Sequence, residues 1–320
     1  MDVLRALLWV LAASVPLAAP GQSYPSRPIR VIIPFPPGNT LDIMTRLIGP
    51  RLTERLGQNV IVDNRAGASG MLGLELAANA PRDGYTLVGG QGGNLVVAPH
   101  TYKKVAYDPI KDFAPIALST TNYLALAIHP RVPFRSMKDL IAYAKANPGK
   151  LSFGTGGQFV HPHLTVEMLR VKAGFTYLQV PYKGTTEAVS ALIGGEIDAV
   201  VAGITGLAPH LQSGKLRLLA VTGPNRAAQF PDVPAISETV PGFESWGWFG
   251  YLAPADTPRD IVVLLNQEIN RAMALPDVKD KLNSLGLIVV TEPPEAFAQT
   301  IKSDYEKYGK LIREIGLRAQ

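Results

Sequence analysis

The sequence contains no cysteine. That absence removes disulfides, thiolate metal sites, a cysteine nucleophile and the lipidated cysteine of a bacterial lipoprotein. A bilayer-spanning run is missing too. The most apolar stretch, Ala6 to Val15, is about half the roughly 20 residues a membrane helix needs, and no later segment reaches that length without a charge or a breaker. Catalytic signatures are equally scarce. Gly154-Thr155-Gly156-Gly157-Gln158-Phe159 starts like a dinucleotide fingerprint but ends on phenylalanine, no G-x-x-x-x-G-K-[ST] loop occurs, and Gly67-Ala68-Ser69-Gly70 has the wrong spacing for a nucleophile elbow. His163 and Glu167, four residues apart, can share a metal on one helix face, but two ligands do not make a stable site and helix-start packing is the favoured reading. The expectation is no enzyme, no cofactor and no metal.

What is present begins with size and hydrophobicity: 320 residues, 47% hydrophobic, enough for one or two well-buried domains. Residues 1–22 stand apart, with Asp2 and Arg5, the apolar run, and then Pro16-Leu17-Ala18-Ala19-Pro20-Gly21. That order is the pattern of a secretory signal peptide, with cleavage expected after Ala19 or Gly21. Export without cysteine points to a bacterial periplasm, with no membrane anchor. The leader holds one acidic and one basic residue, so the net charge of +5 is unchanged by its removal. Such a charge fits attraction of anions; no nucleic-acid partner is expected.

Short apolar runs then alternate with helical stretches. Strands are read at Arg30 to Pro34, Val60 to Val62, Tyr85 to Val88, Leu124 to Ile128, Leu151 to Phe153, Leu178 to Val180, Ala199 to Val201, Leu216 to Val221 and Phe249 to Leu252. Helices are read at Leu41 to Leu56, Ser136 to Ala146, Pro162 to Val171, Glu187 to Ile193, Pro258 to Ala274 and Pro294 to Arg313. This alternation predicts an α/β protein with mostly parallel sheet, divided into two lobes. The expected division is 23–123 plus 248–320 for the first lobe and 124–247 for the second, with a ligand cleft between them.

Three glycine-rich segments are read as loops following strands. Pro34 to Asp42 runs into the first helix, where the N–H groups of Asn39, Thr40 and Leu41 can meet an anion, although Asn39 or Thr40 can equally act as an ordinary cap. Asp42 would oppose an anion unless it bonds elsewhere. The others are Gly89-Gly90-Gln91-Gly92-Gly93-Asn94 and Gly154-Thr155-Gly156-Gly157.

Several ordered blocks are also familiar: Tyr24-Pro25-Ser26-Arg27-Pro28-Ile29, Pro34-Phe35-Pro36-Pro37-Gly38, Asp63-Asn64-Arg65-Ala66-Gly67-Ala68, Asp83-Gly84-Tyr85-Thr86-Leu87, Tyr107-Asp108-Pro109-Ile110-Lys111-Asp112-Phe113, Val180-Pro181-Tyr182-Lys183-Gly184 and Ala253-Pro254-Ala255-Asp256-Thr257-Pro258. With them, essentially the whole mature chain resembles the substrate-binding proteins of tripartite tricarboxylate transporters, the Bug receptors. The resemblance implies a type II periplasmic-binding-protein fold, lobe closure on a small carboxylate, and delivery to a membrane permease by a monomeric receptor. It implies a carboxylate gripped through backbone amides and water by Phe35, Gly38, Asn39, Thr40, Leu41 and Asp42 on one loop and by Gly90, Gln91 and Asn94 on another. Thr155, Gly157 and His163 match the second-lobe motif. Departures from the family lie at Phe159 and Val160, where small residues are usual, at Ala202 and Gly203, where a polar pair is common, and at the additional Trp246. These exchanges favour an aromatic or apolar-bodied carboxylate, with core or interface packing of the same aromatics as the alternative. A receptor that signals to a sensor kinase would use the same fold, and a periplasmic hydrolase or lyase is the remaining reading.

Overall fold

The first apolar run forms β1 (Ile29–Ile33), in which Ile29, Val31, Ile32 and Ile33 are all buried because helices cover both faces of the sheet. The structure is a computed structural model that describes residues 24–156, 160–182, 184–228 and 230–316. The expected leader, 1–22, lies outside them. From β1 the chain enters α1 (Thr40–Leu56), capped by the Asn39 side chain, which accepts the Leu41 N–H at 3.0 Å, and closed by Gly57 at φ 68°. It continues through β2 (Val60–Asn64), α2 (Met71–Ala78) and β3 (Thr86–Gln91), then a π-helical turn over Gly93–Val97 that runs into α3 (Ala98–Thr101).

The 16-residue strand β4 (Phe113–Ile128) carries the chain out of the first lobe. The second lobe contains α4 (Met137–Ala146), β5 (Ser152–Thr155), α5 (His161–Ala173), β6 (Leu178–Pro181), α6 (Thr185–Ile193), β7 (Ala199–Gly203), α7 (Ile204–Gln212) and β8 (Arg217–Val221). β9 (Trp246–Pro254) returns to the first lobe, which α8 (Arg259–Met273), α9 (Pro276–Ser284), β10 (Ile288–Val289) and α10 (Pro294–Glu314) complete.

The strand order is β2-β1-β3-β9-β4-β7-β5-β6, with β8 and β10 also paired to β4. β4 belongs to both sheets: Tyr123 faces Trp246 of β9, and the next residue, Leu124, faces Gly203 of β7. The sequence reading caught only the second-lobe half of this strand. It also expected mostly parallel pairing, whereas β1–β2, β1–β3, β5–β6 and β5–β7 are parallel and the pairings of β4 and β9 are antiparallel. The reason is topological: β4 and β9 pass between lobes in opposite senses, so they lie side by side antiparallel and each sheet becomes mixed. Among the described residues no helix is long and apolar enough to cross a membrane.

Helix α10 closes the first lobe. Phe297, Ile301 and Tyr308 are buried on one of its faces, and the Phe297 ring meets Trp248 edge-on with centroids 5.3 Å apart. That packing brings Asp304 and Tyr308 to the junction between the lobes.

Candidate ligand-binding site

A cavity of about 730 Å³ opens at this junction. The first lobe contributes Phe35, Gln91, Gly92, Gly93 and Tyr102; the start of α5 contributes Val160, His161 and Pro162; the crossing strands contribute Asn122, Trp246, Trp248 and Phe249; and α10 contributes Asp304 and Tyr308. No lysine or arginine lines it among the described residues. The one ionisable acid, Asp304, is 6% exposed, accepts the Trp248 indole N–H at 2.8 Å and pairs with Lys307 at 2.5 Å. The cavity therefore offers rings, amides and neutral polar groups.

The end of β3 supplies the amides. The Gln91 N–H is taken by the Asn94 Oδ1 at 3.0 Å, which fixes the turn. Asn94 is 1% exposed, and its Nδ2 is a donor with no acceptor among the described residues. Buried donors of this kind call for an occupant or a water. Gly92 lies against Trp248: a Cβ there would stand 3.6 Å from the indole Nε1, so side chain is absent where backbone approaches the cavity wall. Asn122, on β4, has its Oδ1 buried and without a donor beside Gly247.

Of the residues singled out from sequence, Phe35, Gln91, Val160 and Trp246 line this cavity. Gly157 and Phe159 lie outside the described residues. The remainder serve the frame around the cavity. Leu41 is fully buried, and its side chain packs against Gly89 in the core of the first lobe. The Asp42 carboxylate accepts the Gly38 N–H at 2.9 Å, Arg46 at 3.0 Å and the Asn64 amide at 3.0 Å, so it bonds within the loop. Burial would raise its pKa, but Arg46, Gly38 and Asn64 together hold it below the ordinary value. Asn39 is the helix cap, and the Leu41 N–H is thereby occupied; the Thr40 N–H has no acceptor among the described residues.

Gly89 and Gly90 are inside β3, not in a loop after it. A Cβ on Gly90 would stand 2.4 Å from Leu95 Cδ1 and 2.8 Å from Leu252 Cδ1, so packing accounts for that glycine. Thr155 is buried, with its hydroxyl accepting from Gln179 at 3.1 Å. Ala202 and Gly203 pair with Ala125 and Leu124 at the end of β7. His163 is 2% exposed, and burial lowers its pKa with Glu167 opposing. Glu167 accepts Tyr177 at 2.6 Å and Arg170 at 2.9 Å, which occupies the carboxylate considered for metal sharing.

The sequence reading missed Tyr102, Asn122, His161, Asp304 and Tyr308. Only His161 carried a signal, through the His161-Pro162-His163 cluster. Asp304 and Tyr308 are spaced i, i+4 on an amphipathic helix, a pattern that reads as packing until the fold places it.

The chain matches the family model of the tripartite tricarboxylate transporter family receptor over residues 44–317. The chain belongs to that receptor family. Its relatives include the UPF0065 protein of the tcbD-tcbE intergenic region of Pseudomonas sp. strain P51, 39% identical over 99% of this chain and 95% of the other. A TctC solute-binding protein from Polaromonas superposes with a TM-score of 0.83 at 28% identity, over 91% of this receptor and 100% of that chain. An R. palustris protein solved with adipate does so with a TM-score of 0.75 at 30% identity, over 93% and 100%. The family is one of solute-binding receptors.

Proposed function

We propose that this receptor captures a small carboxylate with an aromatic or otherwise apolar body in the periplasm and hands it to a tripartite tricarboxylate-type permease. The observation that carries the reading is the cavity wall: Phe35, Tyr102, Trp246, Trp248, Phe249 and Tyr308 surround it, no cation lines it among the described residues, and the glycine amides at the end of β3 open onto it. Aromatic faces suit a flat apolar body. Backbone N–H groups suit a carboxylate without fixing a second charge. Adipate in the R. palustris relative supports the carboxylate part of this reading.

Capture proceeds by movement of one lobe, 23–123 plus 248–320, against the other, 124–247, about β4 and β9 where they cross. The pairing change at Tyr123 and Leu124 supports a hinge there, because the two halves of β4 follow different sheets. No covalent step is needed. A thermal-shift screen of the purified protein against benzoates, aliphatic mono-, di- and tricarboxylates, amino acids and sugars tests the proposal. Aromatic monocarboxylates are expected to raise Tm most, since a ligand at a hundred times its Kd adds about 2.7 kcal/mol of stability. Stabilisation by sugars alone would overturn it.

A further inference from the structure

His161 stands at the start of α5, half-buried in the cavity wall, and its protonation can be read from its neighbours by counting hydrogens. The Thr165 hydroxyl donates its one proton to the His161 carbonyl at 2.9 Å, since a carbonyl can only accept. Thr165 Oγ1 also lies 2.6 Å from Ser245 Oγ, so Ser245 must be the donor in that contact. With its only proton spent on Thr165, Ser245 can only accept from His161 Nε2 at 3.1 Å. One assignment satisfies every contact: His161 carries its proton on Nε2, and Nδ1 is a bare lone pair. Any assignment with Nδ1 protonated and Nε2 bare asks Ser245 for two protons or breaks the bond from Thr165 to the carbonyl.

No described residue donates to Nδ1, and Nδ1 is not among the buried polar atoms left without a partner. It therefore keeps some exposure, on a ring that lines the cavity. Burial first, then the charge of Lys307 against the opposing Asp304, pushes the imidazole down to about 4, so the ring stays neutral near pH 7. We propose that His161 is a specificity-determining residue whose Nδ1 accepts a hydrogen bond from a hydroxyl or N–H on the ligand. The cargo class is thereby narrowed to carboxylates that also carry such a donor, hydroxy- or amino-substituted acids. The choice of probes rests on the carboxylate reading; the protonation assignment does not.

Two measurements separate the claims. Nitrogen-15 NMR of the His161 ring at pH 7 is expected to show a neutral imidazole protonated on Nε2 alone; a ring protonated on Nδ1, or charged, overturns the proposal whatever binds. Calorimetry then compares benzoate with 2-, 3- and 4-hydroxybenzoate and with the aminobenzoates, and hexanoate with 6-hydroxyhexanoate. At least one donor-bearing acid should bind roughly 3- to 10-fold tighter than its parent, the worth of one neutral hydrogen bond. His161→Gln, whose amide reaches the position of Nε2 and leaves none at Nδ1, should abolish that preference, and His161→Asn, which places an acceptor near Nδ1, should restore it. Equal affinity for parent and substituted acids in the native protein, or a preference that survives His161→Gln, refutes the role of Nδ1. If no carboxylate binds while the ring state is as assigned, the carboxylate reading fails and not the tautomer.

Discussion

Replacing Gly90 by alanine separates a packing glycine from a ligand-gripping one. The residue lies in β3 between β1 and β9, opposite Gly250, and an added Cβ meets Leu95 Cδ1 at 2.4 Å and Leu252 Cδ1 at 2.8 Å. Both leucines are fully buried, so neither can swing into solvent to make room. Relief must come from rotamer change or from displacement of β9 and the π-helical turn, and overpacking of this kind costs about 1–3 kcal/mol. For a domain of this size each kcal/mol is about 2–4 °C in Tm, so a fall of roughly 2–12 °C is expected. Thermal denaturation followed by circular dichroism measures it, and calorimetry at a temperature where the variant is folded measures the affinity for whichever carboxylate binds. The reasoning requires lower Tm with Kd changed less than about threefold. A variant as stable as the native protein but binding ten times more weakly would place Gly90 on the ligand and refute the packing account.

Trp246→Ala removes a ring from the cavity wall beside the hinge; affinity for an aromatic acid should fall about tenfold by calorimetry, with a much smaller change for an aliphatic acid of similar length. Equal losses for both would leave the aromatic subsite without support. Asp42→Ala strips acceptors from the Gly38 N–H and the Asn64 amide and should cost about 1–3 kcal/mol in urea denaturation at pH 7. Because the folded pKa of Asp42 is lowered, its contribution is complete above about pH 4 and is lost as pH falls below that, so the gap between native and variant should shrink in acid. A gap that widens as pH falls would contradict the assignment.

Strand and helix positions were legible in the sequence wherever apolar runs were continuous, as in β1, or wherever a cap marked the boundary, as Asn39 and Gly57 do for α1. Elements whose form depends on tertiary partners were not. The first half of β4, Phe113 to Tyr123, mixes Pro115, Ser119, Thr120, Thr121 and Asn122 with apolar residues and is extended because β9 lies beside it. The π-helical turn over Gly93–Val97 reads from sequence as a loop, since Gly92 and Gly93 signal a turn and nothing local announces the helical continuation. The same division holds at the site. Phe35, Gln91, Val160 and Trp246 were visible because they sit at strand or helix ends, whereas Asn122 and Tyr308 reach the cavity from the middle of long elements.

The glycines show why composition misleads at such a site. Gly90 and Gly92 belong to one motif in the sequence, and the fold gives them different surroundings. Gly90 is small because two leucines fill its space, and Gly92 faces the indole of Trp248 at the cavity wall. The strand ends at Gln91 and Gly92 already has helical backbone, φ −53° and ψ −37°, so the chain leaves the sheet between the two glycines and their surroundings differ. Recognition then depends on which amides remain unbonded after the fold has used its own. Asn39 has taken the Leu41 N–H and Asn94 has taken that of Gln91, while the N–H groups of Thr40, Gly92 and Gly93 have no acceptor among the described residues. On the proposed reading an anion held by such donors would meet no lysine or arginine in the cavity wall, and its affinity would be set by how completely closure excludes water around the aromatic rings. The same reading would place selectivity in the side chains that line the cavity with those amides, Trp246 and His161 among them.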